Sequence, residues 1–418
     1  MWDQQSIAND PRPEAGLPRT LPRRQTAQGV ERGCLLAILT TIIVFAVPTY
    51  WWLSTYAPVT LVEVRRTSNV TWDTPASGAV CGRWDTTIWP VFGPMSASME
   101  AIDGTSEDSL WAGTRTGEIL RRNNRGWHHV QTLKTVEGKD IQVVKIDVRD
   151  ENDVWVVGAY ASPYTNALFH WDGNRFEQVT VPGLREFGTL SSMAAIGEDD
   201  AWFAGSPGRI WHWNGKEITQ IQPDDEHLKD FELTGISAVS GNDIWAVGTI
   251  TGMAYGAAVI LHWDGSEWKI VKEWGGKEDG TEQPAIGNLW DVIAIAHDDV
   301  WAIGGNQAVH WNGHEWALSR MPNYEKYGNV GFGTLAASSS NDVWAVGTSW
   351  WGGPHPFALH WDGAQWSIVP APMSLNLGTF DTAKSFSGKL LAAGITYQEE
   401  DHGPVYSMSA EFEFTPCP

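Results

Sequence analysis

The sequence predicts an all-β repeat domain preceded by a single transmembrane helix. Three observations support this prediction: a phrase centred on Asp-Gly or Asn-Gly recurs, a second phrase containing Trp-x-x-Gly precedes each copy, and an uncharged apolar run lies near the N-terminus. The 418 residues include 26 Trp and carry a formal net charge of −22. Because nucleic acid is bound through basic surfaces, this charge argues against a nucleic-acid partner. It also disfavours adhesion of the repeat domain to anionic lipid.

The first phrase predicts a β-hairpin. At Phe357–Pro370 it reads F-A-L-H-W-D-G-A-Q-W-S-I-V-P, with Asp362-Gly363 between two apolar segments. Asp-Gly favours a two-residue type I′ turn, because that turn needs positive φ at both central residues. Trp361 would then pair with Ala364. Close copies of the phrase lie at Phe169–Glu177, Trp211–Thr219, Leu261–Val271 and Val309–Leu318.

The second phrase predicts a tight turn followed by a strand. It reads N-D-V-W-A-V-G at Asn341–Gly347. Asn-Asp makes turns through side-chain to backbone hydrogen bonds, and the β-branched and aromatic run after it favours a strand. A short strand of small residues, such as Leu335–Ser339, precedes the turn. Further copies lie at Asn152–Gly158, Asp199–Gly205, Asn242–Gly248 and Asp298–Gly304.

Alignment on the Trp of the second phrase gives seven repeats. The aligned residues are Trp111, Trp155, Trp202, Trp245, Trp301, Trp344 and, in the seventh place, Leu391. Successive positions are 43 to 56 residues apart. A period of this length with four strands per repeat is typical of a β-propeller, so we predict seven blades. The first copy is degenerate, since Arg121–Trp127 matches H-W-D-G-x-x-W with Asn in the place of Gly.

The repeats resemble those of bacterial kelch-like and sialidase-like propellers, which share the D-V-W-A-V-G and H-W-D-G-x-x-W phrases. The resemblance covers roughly residue 81 to the C-terminus and implies the fold. It implies little about function, because propellers host both enzymes and binding proteins. The S-x-D-x-G-x-x-W box of sialidase repeats is missing here, which argues against a sialidase. Propellers generally close their ring with strands from both termini; Cys81 and Cys417 would then form a disulfide or remain two unrelated thiols.

The N-terminal region predicts a membrane anchor. From Cys34 to Leu53 the chain carries no charge, and about 20 such residues span a bilayer. Arginines precede the run, and an aromatic belt follows it: Arg19, Arg23, Arg24 and Arg32 on one side, Tyr50, Trp51, Trp52 and Tyr56 on the other. This asymmetry predicts a cytoplasmic N-terminus and an extracytoplasmic propeller. A cleaved signal peptide is the alternative, but Tyr-Trp-Trp stands where small residues would be needed.

The predicted organisation therefore has four parts. They are a disordered cytoplasmic tail (1–33), a transmembrane helix (34–56), an extracytoplasmic linker (57–78) and a seven-bladed propeller (79–418). We expect a single-pass protein of the cell membrane.

Propeller geometry predicts where a ligand would bind. Counting strands a to d outward from the axis, the a–b and c–d turns are tight and share one face, which we call the turn face. The opposite, long-loop face carries the b–c and d–a connections, including Thr348–Pro356 and Met321–Gly331. The candidate ligand-binding residues on this face are Met253, Tyr255, Tyr324, Tyr327, Trp350, Trp351 and His355. Exposed aromatics suit sugar rings or a protein hot spot; alternatively, these rings pack onto the rim of the propeller.

No catalytic residues and no metal site are predicted. The repeated histidines His170, His212, His262, His310 and His360 fall one per blade, too far apart to bind one ion, so we interpret them as structural. The acidic stretches Pro223–His227 and Lys277–Glu282 could bind Ca²⁺ through oxygens, but solvated loops are the favoured interpretation. The motifs of zinc proteases, serine hydrolases and c-type haem attachment are absent from the sequence.

The favoured function is a membrane-tethered binding or scaffold module for a polysaccharide or protein. The alternatives are a carbohydrate-active enzyme, such as a glycosidase or lyase, and an accessory subunit of a membrane complex. Charged residues at the axis would favour the enzyme. The predicted inner strands offer mainly Ala, Ser, Val and Ile, with Lys145 and Asp147 as exceptions.

Overall fold

The computed structural model describes residues 64–74, 78–89, 98–124, 126–160, 165–181, 188–221, 223, 225–250, 257–275, 286–350, 352–371, 377–398 and 406–416. The predicted tail and transmembrane segment, together with Cys417, lie outside these residues. The disulfide and the membrane anchor therefore remain predictions. Within the described ranges, no helix has the length and apolar character that crossing a membrane requires.

The fold is a seven-bladed β-propeller, as predicted. The first two strands are β1 (Val64–Thr74) and β2 (Gly78–Trp89). Blade 1 consists of β3 (Met99–Ser106), β4 (Ser109–Thr114), β5 (Glu118–Asn123) and β6 (Gly126–Thr132). Blade 2 consists of β7 (Gln142–Asp150), β8 (Asp153–Tyr160), β9 (Thr165–Trp171) and β10 (Phe176–Val179). Blade 3 consists of β11 (Thr189–Gly197), β12 (Asp200–Ser206), β13 (Arg209–Trp213) and β14 (Ile218–Gln220).

The next three blades repeat this four-stranded antiparallel order. Blade 4 consists of β15 (Glu232–Ser240), β16 (Asp243–Thr249), β17 (Ala257–Trp263) and β18 (Trp268–Gly275). Blade 5 consists of β19 (Asp291–Ala296), β20 (Asp299–Gly304), β21 (Gln307–Trp311) and β22 (Trp316–Ser319). Blade 6 consists of β23 (Asn329–Ser339), β24 (Asp342–Trp350), β25 (Pro354–Trp361) and β26 (Trp366–Val369). Two short 3₁₀ helices, Glu226–Asp230 and Glu325–Tyr327, lie in the connections that precede blades 4 and 6.

Blade 7 closes the ring with strands from both ends of the domain. Its inner strand is divided into β27 (Leu377–Gly378) and β28 (Thr382–Phe386), which pair with β29 (Lys389–Gln398). Next come β30 (Tyr406–Pro416), then β2 and β1. Residues 64–74, which we expected in the linker, thus form a fifth strand beyond the usual four.

The aligned Trp positions form the core, as the repeat alignment predicts. Trp111, Trp155 and Trp344 are at most 1% exposed, and Leu391 occupies the matching buried place. In six blades, this residue packs on an aromatic ring of the next blade. The pairs, with ring centroids 5.0–6.3 Å apart, are Trp111–Trp171, Trp155–Trp213, Trp202–Trp263, Trp245–Trp311, Trp301–Trp361 and Trp344–Phe414.

The seam between blades 7 and 1 differs from the other six. Leu391 replaces the Trp of blade 7, and Arg122 stands where other blades present an aromatic ring. Polar contacts cross this seam: the Trp127 indole donates to Glu411 at 2.6 Å, and Arg122 pairs with Glu413 at 3.2 Å. The degenerate first repeat therefore joins its neighbour through charges as well as apolar contacts.

The prediction of a two-residue turn at Asp362-Gly363 is wrong. Trp361 pairs with Trp366, so four residues form the turn. The Asp362 carboxylate accepts the backbone N–H groups of Ala364 at 2.9 Å and Gln365 at 2.9 Å, which stabilises the longer turn. The observed pairing of the two strands differs from the predicted pairing by two residues. Because side chains alternate between faces, a shift of two leaves the same side chains on each face of the hairpin.

The repeated histidines are structural, as predicted. Each Nε2 atom lies 2.7–2.9 Å from the Asp of the second phrase: His170 to Asp153, His212 to Asp200, His262 to Asp243, His310 to Asp299 and His360 to Asp342. Each imidazole also lies against the core Trp, with ring centroids 4.0–4.5 Å apart. The two phrases recur together because they form one hydrogen-bonded unit. In blade 6, a Cβ added at Gly363 of the first phrase would also collide with the side chain of Asn341, the residue before Asp342.

Candidate functional site

The seven inner strands surround a central channel. Strands β3, β7, β11, β15, β19, β23 and β28 follow one another around the axis, and β28 lies beside β3. They line a cavity of about 510 Å³. Because the d–a connections lead into these strands, each strand begins at the long-loop face and ends at the turn face.

Charged side chains meet halfway along the channel. The inner-strand position opposite the core Trp is Asp103 in blade 1 and Asp147 in blade 2, and Lys384 stands at the matching place opposite Leu391 in blade 7. Lys384 Nζ lies 2.5 Å from Asp103 Oδ1. Burial, with the nearby Asp103 carboxylate, raises the pKa of Asp147 to about 7. These neighbouring blades thus place two carboxylates and an ammonium in one partly desolvated group.

Most of the channel carboxylates also connect blades. Asp103 accepts the backbone N–H of Val148 at 2.7 Å, and Asp147 accepts that of Ala195 at 3.0 Å. Asp291 accepts the backbone N–H of Leu335 at 2.8 Å, while its burial raises its pKa. In each case the donor belongs to the next blade. Hydrogen bonding between blades therefore gives these three carboxylates a structural role.

The mouth of the channel at the long-loop face is chemically uneven. One position near the start of the inner strand lines the cavity in every blade, and in five blades it coincides with an irregularity in the strand register. From blade 1 to blade 7 the residues are Glu100, Val144, Ser191, Thr234, Trp290, Gly333 and Asp381. Trp290 is 37% exposed. Arg115 pairs with Glu100 at 2.9 Å. Burial, reinforced by the nearby Glu100 carboxylate and partly offset by a hydrogen bond with Thr379, raises the pKa of Asp381 to about 6.

Trp350 has a largely exposed side chain, at 57%. It ends β24 and pairs with Pro354 at the start of β25. Most of the predicted Thr348–Pro356 loop is therefore an extension of these two strands. His355, paired with Ser349 in the same hairpin, is half-buried. Blade 6 thus presents Trp350 on the long-loop face.

Tyr324 and Tyr327 pack onto blade 6. Their rings lie 6.0 Å and 5.2 Å from the Phe357 ring, and the Tyr324 hydroxyl donates to the backbone carbonyl of Asn306. Burial raises the pKa of Tyr324. Both side chains therefore contribute to packing at the rim, whereas Trp350 is left largely exposed.

Three further ligand-binding candidates and one of the two acidic stretches fall where the structure is not described. Met253, Tyr255 and Trp351 lie outside the described residues, as does the acidic stretch 277–282. In the other acidic stretch, Asp225 accepts the backbone N–H of His227 at 2.9 Å and begins a 3₁₀ helix. Across the described ranges, no group of three His, Cys, Asp or Glu side chains is arranged to bind a metal ion.

Sequence reasoning missed Trp290 and most channel charges. Asp291, Asp381 and Lys384 belong to repeats whose inner strands differ from the small-residue pattern of Leu335–Ser339. Alignment of the inner strands on the core Trp would have found Lys384, since it stands opposite Leu391. Trp290 lies at the mouth because it directly precedes β19, and no repeated phrase in the sequence marks this position.

Comparisons with solved structures support the fold. YCF48 bound to a D1 peptide superimposes with a TM-score of 0.52 and 16% identity, over 79% of this chain and 94% of that chain. YCF48 from Cyanidioschyzon merolae gives 0.51 and 15%, over 79% and 98%. The RRP9 WD40 repeats give 0.51 and 13%, over 78% and 96%. No family model and no curated protein matches the chain. The chain is thus a seven-bladed β-propeller, and identities this low establish the fold alone.

Proposed function

We propose that this chain is a membrane-tethered, extracytoplasmic binding module whose long-loop face holds a protein partner. The observation that carries the proposal is the exposed aromatic surface of Trp290 and Trp350 on this face. Large rings with apolar bodies and a polar N–H are enriched at the centres of protein interfaces. The uneven channel mouth adds polar groups that would orient such a partner.

The fold comparison is consistent with a protein partner. A propeller of similar architecture, YCF48, has been solved with a D1 peptide. Propellers often act as scaffolds because their rigid blades support variable loops, and loops carry binding residues. A polysaccharide is the competing ligand, since exposed indoles also stack on sugar rings.

The membrane tether rests on the sequence of residues 34–56. An uncharged run of this length, with arginines before it and aromatic residues after it, favours a cytoplasmic N-terminus. Protease added to spheroplasts should remove the propeller while a cytoplasmic N-terminal tag survives. Full protection of the propeller would contradict this orientation.

Affinity capture with the full-length chain in detergent tests the binding face. A specific protein should be retained by the native chain, lost with Trp350→Ala and retained with Glu315→Gln, which alters an exposed carboxylate on the turn face. Removing a hot-spot aromatic costs about 2 kcal/mol or more of binding. Equal capture by both variants would contradict the assignment, and recovery of only a glycan would favour the polysaccharide.

A carbohydrate-active enzyme is the second candidate. The group of Asp103, Asp147 and Lys384 in the channel favours it, because a carboxyl group with a pKa of about 7 can donate a proton near neutral pH. Asp147→Asn should then abolish glycan cleavage without unfolding the protein. We favour the binding module because backbone hydrogen bonds already account for the positions of these carboxylates.

A further inference from the structure

Three adjacent positions at the channel mouth differ sharply in chemistry. Blades 5, 6 and 7 place Trp290, Gly333 and Asp381 at corresponding points, and all three line the same cavity. A Cβ added to Gly333 would have no atom within 4 Å. An open gap therefore lies between the blade that offers an indole and the blade that offers a carboxylate.

Asp381 has no ion pair within the described part of the chain, in contrast to Glu100 at the corresponding position of blade 1. Glu100 is bound by Arg115 at 2.9 Å. The main cause of the raised pKa of Asp381 is burial, which a hydrogen bond with the Thr379 side chain and the more distant Arg115 charge only partly offset. A carboxylate that has lost water without gaining a paired cation would be stabilised by a positive charge from outside.

Trp290 supplies the second half of such a site. Its side chain is partly exposed at the mouth rather than packed between blades. Indole faces attract ammonium and guanidinium groups, and the long methylene stems of Lys and Arg cover apolar surface. The formal net charge of −22 further favours a basic partner over an acidic one.

We propose that the gap at Gly333 is a subsite for one lysine or arginine side chain of the protein partner, with its stem against Trp290 and its charge directed at Asp381. This inference rests on the proposed function and specifies the chemistry of the partner. It identifies an extended segment with a basic residue, which inserts at the mouth while flanking residues contact the long-loop face near Trp350.

A random twelve-residue peptide library displayed on phage, selected on the full-length chain, tests the proposal. We expect enrichment of Lys or Arg at one position. Replacing that residue in a selected peptide by a neutral isostere should weaken binding to the native chain about tenfold. The same replacement should have less than about a twofold effect with Asp381→Asn, because the charge partner is already gone.

Two further variants separate the subsite from general attraction to an acidic protein. Gly333→Leu fills the gap where the structure leaves space, so it should keep the thermal stability and lose at least about tenfold in affinity. Glu315→Gln removes one carboxylate from the turn face and should leave affinity unchanged.

The outcomes distinguish this inference from the proposed function. Selected peptides that need Trp350 but lack a conserved basic residue, or that tolerate Gly333→Leu, would overturn the lysine or arginine subsite and leave the binding face intact. Failure to select any peptide sensitive to Trp350→Ala would overturn both. If basic peptides are enriched but Asp381→Asn and Glu315→Gln reduce their affinity equally, the attraction is only general and electrostatic. That result would also overturn the subsite.

Discussion

The two faces of the propeller use their residues in opposite ways. On the turn face, most blades repeat the same Asp and Gly positions, and hydrogen bonds within the fold occupy the carboxylates, as Asp342 shows with His360 and Ser385. On the long-loop face, corresponding positions differ from blade to blade, from Trp290 to Gly333 to Asp381. Repetition thus marks residues that stabilise the fold, and variation marks residues available for a ligand.

The largest expected effect concerns the repeated core. Trp301 is 1% exposed and packs against Trp361 and Trp366 of the next blade. Trp301→Ala should therefore lower the free energy of unfolding by about 3–5 kcal/mol, as for other buried Trp residues. Urea denaturation of the full-length chain measures this loss. A loss below about 1 kcal/mol would contradict the role of these rings in joining blades.

A smaller loss is expected on the turn face. Burial alone would raise the pKa of Asp342, but hydrogen bonds from His360, Ser338 and Ser385 hold it well below its usual range. Asp342→Ala should cost about 2–3 kcal/mol of stability, because His360 and the indole of Trp344 lose their acceptor. Thermal denaturation at pH 7 measures this cost, with Asp362→Asn as an exposed control. Binding by the remaining folded protein should be unchanged.

The channel should make stability depend on pH. The folded-state pKa of Asp147, about 7, exceeds the ordinary value near 3.9 of an unfolded Asp. Between these values the folded state binds more protons, so this group's contribution to stability falls as pH rises from about 4 to about 7. Asp147→Asn, which keeps an acceptor for Ala195, should remove that slope. An identical pH profile for variant and native chain would show that Asp147 ionises normally.

The smallest effect on folding is expected at the long-loop face. Trp350→Ala should change the free energy of unfolding by no more than about 0.5 kcal/mol, because the side chain is largely exposed. Tyr327→Ala, whose ring packs on Phe357, provides a matched control that should cost measurably more. Equal losses for the two variants would show that Trp350 is a packing residue.

The sequence predicted the repeated features well and the variable ones poorly. Seven copies of one pattern reinforced each other, so the blade number, the buried Trp positions and the structural histidines could be assigned. The turn length failed because Asp-Gly fits both a two-residue and a four-residue turn, and hydrogen bonds from Ala364 and Gln365 to Asp362 select the longer one.

The channel mouth required three-dimensional information. Glu100, Trp290 and Asp381 are far apart in sequence and meet because the ring closes. Their local sequences share no phrase, and the corresponding positions of the other blades carry still different side chains. Trp350 was found because its loop is rich in aromatic residues, whereas Trp290 directly precedes a strand and resembles a core residue.

Site-specific photocrosslinking in living cells tests the division between the two faces most directly. A benzophenone amino acid would replace Trp350 on the long-loop face or His314, which is exposed on the turn face, in the full-length chain. The binding-face assignment predicts a discrete protein adduct from position 350 and none from position 314. A discrete adduct from position 314 alone would contradict it.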